Sequence, residues 1–455
     1  MTTTPKNNPN TSDEWRQTLL DWTAKQGRIL TDEGKAIDHY CSERGFSFAP
    51  NELPHYHLER GDTHQVFHRW AVAAAAASSD QEEEEAILSS SSPIVGAWSR
   101  PLFTGKWEQS TDREETVYNI QTGSLFIDLR IPTSKPVSRW ENLPVGGGDD
   151  DDDSSRQAFE SMSDEDLRLY ARQHVFAGYS VISHERNNNN NSNSNNRMSN
   201  NLPLCTRHHC IDWNYVSGKP RPRPNKWYIE GRKNNNTNNN GNNTPPFHTW
   251  KEWSYATDEN GQCYYWEKWE RIAGDEFGRG LRLAMRKKQK QRGGPISDGV
   301  VSKDDDSNND AILVAVGDHF NYIVGRQFLD LQQQQHTRYR DAGNTVELVD
   351  LAIQHGDRDI AISHLSLAGG HGTISSGWKI DCALQPWQHG KNVFDCLSGN
   401  NCCNEEVKVI GSSGGNTGFI SWEVVIGNDS WDVYECSLSK DELQQLLLSR
   451  KMSRL

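Results

Sequence analysis

The stretch TVYNIQTGSLFIDLRIP, Thr116–Pro132, decides how the chain is read. Val117, Tyr118 and Ile120 are β-branched or aromatic, Gln121–Ser124 carries a glycine, and Leu125–Ile131 alternates without a break. Two strands joined by a tight turn follow from this pattern. Leu125, Ile127, Leu129 and Ile131 share one face, and Phe126, Asp128 and Arg130 share the other. Pro132 ends the run because it cannot donate to a ladder. The leucine–isoleucine face is expected inside a barrel or on its packed side.

Working outward, the same period of two recurs from Val95 to Ser437 in a train of short β-like segments. Ile312–Arg326, Thr345–His355 and Asp359–Ala368 are read as strands, and the glycine-rich pieces Gly369–Gly372 and Gly411–Gly415 as hairpin turns. Short strands with little helix between them predict a mainly β protein of antiparallel sheets closed as barrels or sandwiches, and two barrels of about eight strands each fit the count. Residues 93–275 form the expected first barrel, and residues 276–455 the second barrel with a terminal helix. Residues 1–92 carry helical spacing and a linker: Trp15, Leu19 and Trp22 mark one amphipathic helix, and Ala36, Ile37 and Tyr40 a second. Ser163-Asp-Glu-Asp166 and Ser439–Glu442 open two further predicted helices as capping boxes. Polar low-complexity runs at Gly146–Arg156, Asn187–Asn201, Asn234–Asn243, Arg286–Asn309 and Gln332–Gln335 cannot bury enough apolar surface to order themselves. They are read as inserts at loop tips, where expansion is tolerated.

Composition narrows the function classes. Of 455 residues, 34% are hydrophobic, and the net charge is −14. Acidic runs such as Glu82–Glu85, Asp149–Asp153 and Asp304–Asp306 supply much of the excess. This balance argues against a nucleic-acid partner, which needs a basic face. No run approaches the ~18 apolar residues of a membrane span. The start, MTTTPKNNPNTSDEW, lacks the apolar core of a signal peptide, and the 9 Cys are scattered. A reducing cytoplasmic setting with free thiols is expected.

Several constellations could carry chemistry. Cys205-Thr-Arg-His208-His209-Cys210 has zinc-type ligands. On one straight strand, however, Cys205 and His209 face one way and His208 and Cys210 the other, so four ligands do not converge. A half-buried imidazole is the simpler reading. Asp128 and Arg130 are i, i+2 neighbours that could orient a polar ligand group or form a rim ion pair. Arg130 is the candidate for holding a carboxylate head. Trp250, Trp253, Tyr255, Tyr264, Tyr265, Trp266 and Trp269 lie on two consecutive strands and could line a barrel mouth or simply build a core. Glu252, Glu267 and Glu270 lie among them, where a carboxylate could have a raised pKa.

Segments in this order resemble a family. They are GAWSR at Gly96–Arg100, VYNIQTGSLFIDLRIP at Val117–Pro132, FAGYS at Phe176–Ser180 and CTRHHCIDW at Cys205–Trp213. YYWEKWERI at Tyr264–Ile272, ILVAVGDHFNYIVGR at Ile312–Arg326 and LQPWQHGK at Leu384–Lys391 follow. Together they resemble a family of uncharacterised bacterial proteins and, more distantly, the small fungal Hri family, a pair of lipocalin-like, calycin-like β-barrels. Gly96-Ala-Trp98 also resembles the Gly-x-Trp entry of lipocalins. The resemblance covers about Pro93–Ser437 and implies barrels and small-molecule binding. It brings no reaction and no catalytic residues.

The expectation is a lipocalin-like protein that binds a small apolar or amphipathic ligand, or serves as an interaction module through its N-terminal helices. Asp128, Arg130, His208, Trp250, Trp266 and Glu267 are the expected ligand-binding residues, with no cofactor and no metal. The alternatives are an enzyme acting on a lipophilic substrate through His208, Asp128, Arg130 or Glu267, and a haem-binding barrel with a histidine as axial ligand.

Overall fold

A computed structural model describes residues 94–105, 115–132, 140, 143, 151–184, 202–216, 225–231, 248–255, 265–273, 280–288, 310–326, 339, 342–397, 408–412, 421–427 and 429–448. The helices expected in residues 1–92 lie outside these, as do most of the polar inserts.

Eight antiparallel strands close a barrel in sequence order: β1 (Gly96–Gly105), β2 (Glu115–Gln121), β3 (Phe126–Pro132), β4 (His174–His184), β5 (Pro203–Asp212), β6 (Asn225–Gly231), β7 (Thr249–Ser254) and β8 (Tyr265–Arg271). β8 returns to pair with β1, Trp98 opposite Arg271 and Thr104 opposite Trp266. Closure removes both sheet edges. The β2–β3 hairpin pairs Val117 with Arg130, Asn119 with Asp128 and Gln121 with Phe126. Its turn is held by Thr122, whose backbone N–H and hydroxyl both donate to Leu125 O.

The second unit is an eight-stranded antiparallel sheet in the order β13-β12-β11-β10-β9-β16-β15-β14. Its strands are β9 (Arg282–Lys287), β10 (Ala311–Val316), β11 (His319–Val324), β12 (Ala368–Thr373), β13 (Lys379–Ala383), β14 (Lys408–Ser412), β15 (Ser421–Ile426) and β16 (Asp429–Cys436). The expectation of two closed barrels is therefore corrected: among the described residues no ladder joins the edge strands β13 and β14.

The helices are α1 (Asp151–Ser161), α2 (Asp164–Tyr170), α3 (Thr345–Gln354), α4 (Arg358–Leu365), α5 (Val393–Leu397) and α6 (Lys440–Leu448), with a 3-10 turn at Pro386–Gln388. Two segments read as strands are thus α3 and α4. The β-branched residues Thr345, Val346 and Val349 obscure a helical period: Thr345, Leu348, Val349, Ala352 and Ile353 all lie on the buried face. Asn344 caps this helix by accepting from Glu347 N at 2.9 Å. Ile312–Arg326 is two strands, because Gly317, at φ 59°, turns the chain between them. Gly369–Gly372 lies within strand β12 and is no turn. A Cβ on Gly372 would stand 2.0 Å from Lys379 O, so a bare backbone is what lets β13 approach.

The apolar face of Thr116–Pro132 explains how the units meet. Leu125, Ile127, Leu129 and Ile131 lie on the outside of the barrel, in one core with Ile312, Val314, Val316 and Ile323 of the second sheet. Strands β10 and β11 are buried on both faces, since Leu313, Phe320 and Tyr322 join a second core with Leu283 and Met285 of β9 and with Trp378, Trp431, Leu443 and Leu447. Polar clamps cross the junction. Asn321 Nδ2 donates to Tyr118 O at 3.0 Å and to Ile127 O at 3.1 Å. Arg286 donates twice to Asp310 and once to the Tyr179 hydroxyl. Arg326 donates to His364 O and Trp213 O, joining α4 to the end of the barrel wall.

Candidate functional site

With the apolar face of β3 turned outward, its other face lines the barrel, and directly opposed residues share that face. Phe126, Asp128 and Arg130 point inward with Gln121, Asn119 and Val117 of β2 and with Phe176 and His174 of β4. Trp227, Ile229, Trp250, Glu252, Glu267 and Trp269 complete the lining from β6 to β8. The interior is thus aromatic and charged rather than purely apolar.

One centre is Asp128, which is fully buried. Arg130 Nε donates to its Oδ1 at 2.9 Å and Nη2 to its Oδ2 at 3.3 Å. Arg207 Nη1 donates to Oδ2 from β5, two strands along the wall, at 3.3 Å. Burial pushes the Asp128 carboxyl up, but the charges and hydrogen bond of Arg130, Arg207 and Arg100 outweigh it and hold the pKa at about 2. Arg207 also donates to Gln121 Oε1 at 3.1 Å, and its guanidinium sits over the Phe126 ring at 4.0 Å and the Trp227 ring at 4.7 Å.

Across the barrel, Arg100 Nη1 donates to Glu267 Oε1 at 2.8 Å. Glu252 faces Glu267 in the ladder and accepts from the Tyr265 hydroxyl at 2.8 Å. Burial and then the charge of Glu267 raise the Glu252 pKa, against the pull of Arg207, Tyr265 and Arg130. Cys205 lies among the same residues as a thiol, since burial pushes its pKa up to about 12.

A third group stands where β5 ends. His209 Nδ1 lies 2.7 Å from Asp212 Oδ2, and Asp212 Oδ1 accepts from Asn214 N at 2.8 Å. Burial raises the Asp212 pKa, but the His209 hydrogen bond, the charges of His209 and His174 and the Asn214 N–H together hold it well below the usual carboxylate range. His209 stacks on Phe176, centroids 4.4 Å apart.

Among the described residues, seven polar atoms of this lining are buried with no hydrogen-bond partner: both amide atoms of Asn119, Nε2 of His209, Oε2 of Glu267 and the indole nitrogens of Trp227, Trp250 and Trp269. Trp250 stacks on Trp269 at 5.4 Å and meets the edge of Trp98 at 6.0 Å.

Of the six residues expected from the sequence, Asp128, Arg130, Trp250 and Glu267 are brought together inside the barrel. His208 is buried on the outer side of β5, opposite Tyr179, whose hydroxyl meets Arg286 of the second sheet. Burial, with the charges of His209 and Lys226, lowers its pKa to about 3, so it is a neutral imidazole. Trp266 is also outside. It lies opposite Trp253, with the Lys251 ammonium 5.3 Å from the Trp253 ring and 5.2 Å from the Trp266 ring. Arg207, Arg100, Asn119, Gln121 and the His209–Asp212 pair escaped the sequence reading. Arg207 sits two residues from both Cys205 and His209, so strand alternation alone assigns it to their face. Among the described residues, no three His, Cys, Asp or Glu side chains are placed to hold a metal ion. No described helix is long and apolar enough to cross a membrane.

No protein-family model matches the chain, and no curated protein matches its sequence. A solved structure, that of the uncharacterised protein YLR301w of Saccharomyces cerevisiae, aligns over 75% of this chain and 98% of its own length at 10% sequence identity. Its TM-score of 0.33 is too low to carry an argument about fold or function.

Proposed function

We propose that the closed barrel is a lipocalin-like binding module for a small amphipathic molecule, in keeping with the resemblance to the Hri family. The observation that carries this reading is the group of seven partnerless polar atoms inside one barrel. Buried donors and acceptors without partners cost about 1–3 kcal/mol each, and native proteins keep few of them. An eight-stranded barrel encloses room for side chains or for one small ligand. A ligand with an aromatic or aliphatic body and oxygen atoms at its polar end satisfies the indole N–H groups while its body packs on Phe126, Phe176 and Trp98.

The test is mass spectrometry of the folded protein, isolated without denaturation, together with thermal melts in the presence of amphipathic small molecules. A stoichiometric adduct and a raised melting temperature are expected. Both should weaken in Trp250→Phe, which keeps the ring stack but deletes the indole donor. A barrel that retains no compound and melts unchanged with every one offered is not a binding module, and the interaction-module reading then takes its place.

A further inference from the structure

The His209–Asp212 pair is built at structural cost. The β4–β5 ladder is regular from His184–Pro203 to Gly178–His209 and then slips by one residue, so that Ala177 faces Ile211. The extra residue is Cys210, whose side chain joins the outer core while Ile211 does the same. This β-bulge lets both His209 and Asp212 face inward, three positions apart, which straight alternation forbids. Gly178 makes it possible: a Cβ there would stand 1.8 Å from His208 O. Asp212 is then fixed by Asn214 N, and His209 by its stack on Phe176. What this machinery produces is an imidazole held through Nδ1, with Nε2 buried and without a partner.

We propose that His209, set by Asp212, is the hydrogen-bond acceptor for the hydroxyl of a phenolic ligand in the barrel. The inference rests on the binding-module reading and names its ligand class. Asp212 is an ionised carboxylate, which only accepts, so the proton between the two residues belongs to His209 Nδ1. In the uncharged form of that tautomer Nε2 is an acceptor, so a ligand that meets it must donate. An aliphatic carboxylate has no proton to give it. A phenol does, and its oxygen keeps lone pairs for a second, donating partner. The imidazole lies among rings as well: His209 stacks on Phe176 and meets Phe126 edge-on at 6.1 Å. A group that reaches it passes aromatic faces, where a flat ring packs well.

The test compares 2-naphthol with 2-methoxynaphthalene, which has the same ring system and no proton to donate, by quenching of tryptophan fluorescence. Wild type should bind 2-naphthol roughly three- to tenfold more tightly, the worth of one neutral hydrogen bond. His209→Phe keeps the stack on Phe176 and should lose that preference. Should this variant fail to fold, nitrogen NMR of histidine-labelled wild type gives the same answer: one unprotonated Nε2 resonance should shift with 2-naphthol and stay in place with 2-methoxynaphthalene. Equal affinities in wild type, or a preference that survives His209→Phe, would overturn the assignment. Binding of other amphipathic compounds but of neither naphthalene would also overturn it while leaving the binding-module reading intact.

Discussion

Glu252 and Glu267 stand directly opposite each other on β7 and β8, both buried inside the barrel, one held by the Tyr265 hydroxyl and the other by Arg100. Burial first, and then the charge of the facing Glu267, raises the pKa of Glu252.

That arrangement predicts a pH dependence of stability. Glu252 moves from 4.5 up to about 8 on folding. Between those values the folded protein keeps a proton that the unfolded chain has lost, so stability falls as pH rises through the window. Glu252→Gln retains an acceptor for Tyr265 and removes the falling slope. Urea denaturation at intervals from pH 4.5 to 8.5 should show wild type losing on the order of 1–3 kcal/mol more than the variant across this range. Parallel curves would mean that Glu252 ionises normally in the fold.

The Asp128 network predicts the opposite slope at acid pH. Its carboxyl drops from 3.8 to about 2, so the stabilisation it contributes is complete above 3.8 and is lost as pH falls through 2. Arg207→Met leaves Asp128 and Gln121 short of a buried donor and should cost about 3–5 kcal/mol. Joined with Asp128→Asn the loss should be smaller than the sum of the two single changes, because the second removes the charge that the first strands. Strictly additive losses in a double-mutant cycle would uncouple the two residues.

The outward face of β3 predicts a third effect. Ile127 is fully buried between the barrel and the second sheet. Ile127→Asp places an unpaired charge in that junction and should cost more than about 4 kcal/mol, with Ile127→Val near 1. Thermal melts decide it, and an aspartate variant that melts within a degree or two of wild type would mean the sheet does not cover this face.

Much of this architecture is written locally. Alternation from Leu125 to Ile131 and the turn at Gln121–Ser124 specify the β2–β3 hairpin, because side-chain direction in a strand depends only on its period of two. Ser163 and Ser439 open α2 and α6 because a cap needs only residues three positions apart: Asp166 N donates to Ser163 Oγ, and Ser439 N donates to Glu442 Oε2. The helical period of Thr345–Ile353 was equally present, though its β-branched residues pointed to a strand.

Tertiary structure decided which face is the inside. A strand presents two faces, and only closure and cover choose between them. Here the second sheet took the leucine–isoleucine face of β3, so Asp128 and Arg130 were enclosed with Arg207, Glu252 and Glu267, residues far away in sequence. The His209–Asp212 pair shows the same limit. Its inward aim depends on one bulge residue, Cys210, and on the approach of β5 to Gly178 on the neighbouring strand, and no period within β5 itself contains that information.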